Sequence, residues 1–239
     1  MKKEIEKAIE EIIVTYESVV KVVDKQAKDD DNRAYGGIIR SVKGKLQEHI
    51  TEEIIKIAWS SIGGNSSDIQ INSEKHKIPI HKQYIDTIPD DEIKKHILHN
   101  VDNYYYHLSI DKQVYIKNKF VIGIECKAYT ENAMLKRILV DFKLLKTLYP
   151  DLRCYLFQLE SQLGGDYSEL NMKTFGSPAT HTLLSYFPEV NLNIITFLKG
   201  ERKVDEPIHK SKYFKKLEKQ SILNAVNILA EDLKKYKTR

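Results

Sequence analysis

The chain has 239 residues, 41% of them hydrophobic, and its 38 Lys and Arg nearly balance 34 Asp and Glu. This composition excludes a wholly disordered chain, and the presence of only two cysteines, Cys126 and Cys154, excludes a disulfide scaffold. No uncharged stretch approaches the ~18 residues of a membrane span, and the charged N-terminus lacks the apolar segment of a secretion signal. We therefore expect a cytoplasmic protein with no membrane partner. Its formal charge of +4 permits nucleic acid as a partner without requiring it.

The N-terminal part is predicted to be helical. Apolar residues recur at three- and four-residue spacing over 4–24 and again over about 41–59. Between these helices, Tyr35-Gly36-Gly37 begins a basic, glycine-bearing stretch that extends to Lys45 and is predicted to be a loop. Such a loop would either bind a phosphate backbone through N–H groups and Lys45, or simply connect the two helices.

In the middle of the chain, the secondary-structure pattern is weak before Tyr104 and clear after it. Residues 68–71 alternate like a short strand, whereas Lys77-Ile78-Pro79-Ile80 predicts no element, and a short helix begins near Pro89. Strand-forming residues dominate from Tyr104, and residues 120–124 form a continuous apolar run typical of a strand buried on both faces. The pattern predicts a β-hairpin over 110–127 whose second arm lies centrally in a sheet.

The remaining elements complete an α/β pattern. Thr130 is predicted to cap a helix over 131–149, and a strand follows at 153–159. The order strand, helix, strand implies a parallel crossover. A short helix near 179–187, a strand at about 193–198 and a helix over 216–236 follow. We predict an α/β fold, with a central mixed β-sheet that contains an antiparallel hairpin and a parallel crossover and is flanked by helices.

We expect a single domain over residues 1–239. Its parts would be a helical N-terminal part at 1–65, an α/β core at 100–200 and a C-terminal helix within 210–239.

Charged side chains lie at the end of the predicted buried strand. Because side chains alternate along a strand, Glu125 and Lys127 share one face, and burying them is costly unless they are paired or bind a metal. A three-residue hairpin loop, or a bulge, places Asp111 opposite Glu125, whereas a two-residue loop places it opposite Ile124. Without a metal, Glu125 and Lys127 would form a structural ion pair.

Two converging carboxylates favour a cation between them. Carboxylate oxygens are the ligands of hard divalent ions, and Mg²⁺ is the usual ion of phosphate chemistry. The backbone carbonyl of Cys126 would supply a further oxygen, and Lys127 would act on the attacking water or on charge that develops at phosphorus. Asp102 and Asp68 compete with Asp111 for the role of first acidic ligand. The scattered histidines show no zinc-ligand spacing.

The segment from Asp111 through Glu125-Cys126-Lys127 into a helix and another strand resembles the core of the PD-(D/E)XK nucleases, and among them the type II restriction endonucleases. The resemblance covers about residues 110–160, and Ile110 stands where the family usually has Pro. It implies that Asp111 and Glu125 bind Mg²⁺ and that Lys127 assists the attacking water. It further implies hydrolysis of double-stranded DNA at a short specific sequence. Because a two-fold dimer matches a palindromic site, we expect a homodimer.

Further residues are candidates at the same site. The resemblance implies that the helical Glu48 lies near the metal, and that Lys136 and Arg137, on a helix near the substrate, contact DNA phosphates; each would otherwise be a solvated helix residue. Gln158, on the next strand, would orient water or a ligand, or form a structural hydrogen-bonded pair with Glu160. Two other functions stay open: a repair or recombination nuclease of the same superfamily, and a non-catalytic nucleic-acid-binding protein.

Overall fold

Two long helices form the N-terminal part of the structure, a computed structural model that describes residues 2–27, 32–168 and 176–237. They are α1 (Lys2–Ala27) and α2 (Asn32–Ser61), and α2 packs on α1 and on the C-terminal helix α7 (Lys219–Lys237). The predicted loop at 35–45 is wrong, because this stretch is helical and lies inside α2. A glycine destabilises a helix interior by only about 1 kcal/mol, which the packing of a 30-residue helix offsets.

A five-stranded mixed sheet forms the centre, in the spatial order β1-β4-β5-β6-β7. These strands are β1 (Ile69–Asn72), β4 (Lys112–Ile116), β5 (Lys119–Glu131), β6 (Arg153–Gln162) and β7 (Asn193–Thr196). Strands β1, β4 and β5 pair antiparallel, whereas β5, β6 and β7 pair parallel. Helix α5 (Asn132–Leu148) is the crossover from β5 to β6. The predicted fold class is confirmed, including the central position of the second hairpin arm.

A small second sheet pairs β2 (His76–Pro79) with β3 (Tyr105–Leu108) in antiparallel orientation. The sequence pattern at 77–80 was too broken to predict an element; Pro79 is tolerated because β2 is an edge strand of a two-stranded sheet. The shorter helices are α3 (Lys82–Thr87), α4 (Asp91–His99) and α6 (Pro178–Ser185). None of the helices within the described ranges is long and apolar enough to cross a membrane.

Apolar side chains fill both faces of the central sheet. On one face, Ile122, Ile124 and Cys126 belong to the core formed with α1, α2 and α7. On the other face, Cys154 and Leu156 belong to the core formed with α5. This two-sided burial explains the continuous apolar run of β5. Cys126 and Cys154 are both buried free thiols.

The junction between β5 and α5 differs from its prediction. Thr130 stays in the strand, fully buried, because the parallel pairing continues through Thr130–Ser161 to Glu131–Gln162. The helix begins at Asn132, and Glu131 occupies the N-cap position without a side-chain cap. The predicted capping role of Thr130 is therefore wrong.

Candidate active site

The β4–β5 hairpin determines where Asp111 lies. Its turn has two residues, at 117–118, whose φ angles are 47° and 64°, so of the two expected alternatives, a three-residue loop or a bulge, the loop is excluded. The ladder shifts register within the hairpin, and Val121 of β5 is left without a partner on β4. This β-bulge supplies the extra residue, because beyond it the continued register sets Asp111 opposite Glu125.

Two carboxylates and one ammonium group meet at this position. Lys127 Nζ lies 2.7 Å from Asp111 Oδ2 and also donates a hydrogen bond to Glu125 Oε2. The backbone N–H of Cys126 donates to the same Asp111 oxygen at 2.8 Å. The side chain of Glu125 is only 8% exposed, whereas those of Lys127 and Asp111 are 29% and 31% exposed. The cluster is therefore half-buried, with Glu125 as its innermost member.

Burial and charge shift the proton affinities of the cluster. Burial raises the pKa of Glu125 to about 7, the Lys127 charge opposes this rise, and the Asp111 charge adds to it. Burial alone would lower the pKa of Lys127, but the charges of Glu125 and Asp111 outweigh it and hold that pKa above its usual value. Lys127 is therefore a protonated cation at neutral pH.

A cleft of 420 Å³ opens over this cluster. One wall is formed by the end of β3 and the segment that follows it, and the other by Met134, Arg137, Ile138 and Asp141 of α5. The site is thus open to a substrate, as catalysis requires.

Asp141 is a cleft residue that the sequence did not reveal. Its side chain is 15% exposed and lies 3.7 Å from Arg137 Nε, and burial raises its pKa. The sequence signal is weak, because a carboxylate on a helix has no fixed spacing to the strand that carries Glu125. Only the packing of α5 against the sheet brings Asp141 to the cleft.

Helix α2 approaches the cluster from the other side of β5. Glu48 is half-buried, and its pKa is raised first by burial and then by the nearby charge of Asp111. One turn further, Thr51 Oγ1 accepts a hydrogen bond from Cys126 Sγ at 3.3 Å. The next position along, Glu52, pairs with Lys112 at 2.9 Å. The structure thus places Glu48 near Asp111, where the family resemblance expects a helical Glu, although its position on the predicted helix alone favoured a solvent-facing residue.

The other two candidate acids are not part of the cluster. Asp102 is exposed in a short 3-10 helix ahead of β3 and does not line the cleft. The backbone carbonyl of Asp68 accepts a hydrogen bond from the Lys117 N–H at 2.9 Å, so Asp68 lies at the turn end of the hairpin. The five-residue strand β4, roughly 17 Å long, separates that end from Asp111.

Gln158 lies beside Lys127 in the sheet. The two residues are register partners on β6 and β5, and Gln158 is fully buried. Its Nε2 donates to Thr196 Oγ1 at 2.9 Å, whereas its Oε1 has no hydrogen-bond partner among the described residues. The predicted pairing with Glu160 is not seen, because Glu160 forms an ion pair with Lys215 at 3.0 Å.

The three predicted DNA-contacting residues are all exposed. Arg137 lines the cleft, and Lys136 precedes it on α5 outside the cleft wall. Lys45 lies on α2, where its charge reaches Glu48.

The donor set fits a hard divalent cation. Within the described parts of the chain, no three His, Cys, Asp or Glu side chains form a group that could hold a metal ion. Asp111 and Glu125 offer two carboxylates, and the Cys126 carbonyl points to the same side of β5 as the N–H that binds Asp111. Mg²⁺ commonly takes one or two carboxylates and completes its shell with waters and substrate phosphate. These residues suffice for such an ion, and Lys127 supplies the balancing positive charge in its absence.

Comparison with known proteins identifies the family. No family model and no solved structure matches the chain. The chain is 54% identical over 237 residues to the type II restriction enzyme DdeI of Desulfomicrobium norvegicum (strain DSM 1741 / NCIMB 8310), an alignment that covers 98% of this chain and 99% of that enzyme. The alignment therefore extends beyond the segment from Asp111 to Lys127 over nearly the whole chain. The chain therefore belongs to the type II restriction enzymes, hydrolases that cleave DNA at specific sites.

Proposed function

We propose that Asp111, Glu125 and Lys127 form the catalytic centre of a Mg²⁺-dependent endonuclease that cuts double-stranded DNA at a short specific sequence. The observation that carries this proposal is the contact of one ammonium group, Lys127 Nζ, with two carboxylates at the floor of an open cleft. A structural ion pair needs only one acid. Membership in the restriction enzymes also favours this function over a repair nuclease or a non-catalytic binding protein.

Asp111, Glu125 and the Cys126 carbonyl would hold the metal ion. When bound, Mg²⁺ supplies Lewis-acid polarisation of the scissile phosphate. Lys127, kept protonated by its carboxylate neighbours, donates a hydrogen bond that orients the attacking water and stabilises charge on the phosphate oxygens. Water adds to phosphorus and releases a proton to solvent, the bond to the 3′ oxygen breaks, and that oxygen leaves and takes up a proton.

Residues around the centre would support binding and positioning. Glu48 would act on the metal through water, and Gln158 would orient water or a ligand beside Lys127. Arg137 lines the cleft and would contact a phosphate of the cleaved strand, while Lys136 and Lys45 would contact the backbone further out.

The active form would be a homodimer whose chains each act as one domain over residues 1–239. The described part of the chain carries one cluster of this kind, and a duplex has two strands to cut, so two copies related by a two-fold axis match the substrate. We place the enzyme in the cytoplasm, where two buried free thiols such as Cys126 and Cys154 remain reduced.

Neutral substitutions at the cluster test the proposal. Glu125→Gln and Asp111→Asn should lower the rate of plasmid cleavage in Mg²⁺ by on the order of 10²–10³-fold or more, because each removes a charged ligand. Both variants should keep the unfolding temperature of the wild-type protein and its affinity for DNA in Ca²⁺. The matched control is Glu189→Gln, which neutralises the exposed partner of Lys143 and should leave cleavage unchanged. Full cleavage by Glu125→Gln, or loss of its fold, would contradict the proposal.

A further inference from the structure

A second depression adjoins the catalytic cleft. This aromatic groove has a volume of 480 Å³ and lies between the β2–β3 sheet and Leu144 of α5. Its side chains include His81, Asn103 and the three tyrosines at 104–106. Tyr106 also lines the catalytic cleft, so the two depressions are continuous.

Tyr106 occupies an unusual position for an aromatic side chain. It is the register partner of Ile78 and shares its face of the small sheet with Leu108, two positions along β3. Ile78 is 6% and Leu108 5% exposed, because they pack in the core with α5. Tyr106, on the same face, is 59% exposed. A large ring on the core-facing side is therefore left open, at the boundary between groove and cleft.

The wall of the groove has the chemistry of a site for a flat aromatic ligand. Its surface is mainly apolar and aromatic, and Asn103 and His81 add a few hydrogen-bonding groups. Aromatic rings stack on nucleobases, so the tyrosines of this wall suit a flat base.

The groove lies at a short distance from the cleft along α5. Asp141 lines the cleft and Leu144 lines the groove, and three residues of helix advance by about 4.5 Å. A strand of B-form DNA advances about 3.4 Å per nucleotide. A strand whose phosphate lies in the cleft therefore has bases one to three nucleotides away that can reach the groove.

We propose that the aromatic groove binds one nucleobase of the DNA substrate, turned out of the duplex stack within about three nucleotides of the cleaved bond. This inference rests on the proposed function, which places the scissile phosphate in the catalytic cleft. A base inside an intact duplex cannot stack on Tyr106, so the duplex must open at that position. A second copy of the chain is the other occupant that an apolar groove would suit.

The test compares the affinity of the full-length enzyme for matched and mismatched duplexes. The cleaved sequence is first read from the ends of digested plasmid DNA. Duplexes with one mismatch at each position within three base pairs of the cut are then titrated in Ca²⁺, without cleavage. A mismatched base leaves the stack more easily, so one position should bind at least about tenfold more tightly than the matched duplex.

Substitutions at Tyr106 test whether the turned-out base binds in the aromatic groove. In Tyr106→Ala, the mismatched duplex should bind less than about twofold more tightly than the matched one. Tyr106→Phe keeps the ring and should retain the full difference in affinity. Tyr186→Ala is the matched control, because Tyr186 is 73% exposed and lines neither depression. Wild-type enzyme without a gain at any position would overturn the inference, even if Tyr106→Ala failed to fold.

Two further outcomes distinguish a bound nucleobase from a second copy of the chain in the groove. A gain that survives in Tyr106→Ala, or a change in the oligomeric mass of that variant, would overturn the base site; the mass change would assign the groove to a second copy. Cleavage by Glu125→Gln would instead refute the proposed function. Loss of cleavage in Glu125→Gln with no mismatch effect in wild-type enzyme would refute the base site alone.

Discussion

Glu125 is the residue whose surroundings most constrain the chemistry of the cleft. Its carboxylate is the least exposed of the three charged groups, and its ion-pair partner is Lys127. Burial raises its pKa to about 7, so near neutrality a proton competes with any cation for the same oxygens. A metal bound by Glu125, as proposed, would therefore displace a proton from this residue.

The enzyme should need more Mg²⁺ for cleavage as the pH falls below 7. Below pH 7 the Glu125 carboxyl is mostly protonated and must lose its proton to bind metal. The Mg²⁺ concentration for half-maximal cleavage should therefore rise about fivefold from pH 7 to pH 6 and change little from pH 8 to pH 9. Initial cleavage rates over a Mg²⁺ series at each pH measure this. An unchanged requirement at pH 6 would show that Glu125 binds no metal.

At the scale of elements, one acid adds a polar link between α7 and the sheet to the apolar packing of that helix. Asp232 Oδ2 accepts hydrogen bonds from Tyr155 OH at 2.6 Å and Arg153 Nε at 2.8 Å, both on β6. Lys235 Nζ reaches the other oxygen at 3.0 Å. Burial acts to raise the pKa of Asp232, but these hydrogen bonds outweigh it and hold the pKa below its usual value. The contact joins the C-terminal helix to a strand that flanks the site.

Asp232→Asn should lower the free energy of unfolding by about 1–3 kcal/mol at pH 7. A depressed folded-state pKa stabilises the protein above the unfolded value near 3.9, and this stabilisation is lost as pH falls through the folded value. The difference from wild type should therefore shrink between pH 5 and pH 3. Urea unfolding at several pH values measures it. The control is Asp151→Asn, at an 84% exposed side chain, and an equal loss there would contradict the assigned role.

The elements differ in how far the sequence could predict them. Strand β5 was predictable because burial on both faces leaves an unbroken apolar run. The helical stretch at 35–45 was not, because its glycines favour a loop and only packing of the long helix overrides them. Glu125 and Lys127 followed from side-chain alternation, whereas Asp111 needed the register, which depends on a bulge with no clear sequence signal. Asp141 depends on how α5 packs, and no local pattern reveals it.

At the scale of the whole molecule, the cluster of Asp111, Glu125 and Lys127 lies where the layers on the two faces of the sheet meet. Glu48 approaches from α2 on one face, and Arg137 and Asp141 approach from α5 on the other. The sheet itself supplies the central residues through the β4–β5 hairpin. Because each layer contributes, the site depends on the assembly of the complete fold.

The enzyme should act as a two-fold dimer. Sedimentation of the protein with its DNA site should give a complex whose mass is that of the DNA plus twice the chain mass of 27.8 kDa. When wild-type chains are mixed with an excess of Glu125→Gln chains, mixed dimers should cut one strand and convert supercoiled plasmid to nicked circles, because each chain serves one strand. Linear product without nicked circles under these conditions would contradict a dimer with one centre per chain.

The bulge at Val121 also bears on how relatives of this enzyme can be found from genome sequences. Thirteen residues separate Asp111 from Glu125. A hairpin with the same two-residue turn and no bulge would keep the two acids opposite each other with one residue fewer between them. A motif search that fixes this interval at a single length would pass over such chains. A search that accepts both lengths, and also tests strand alternation on each side, would retrieve them.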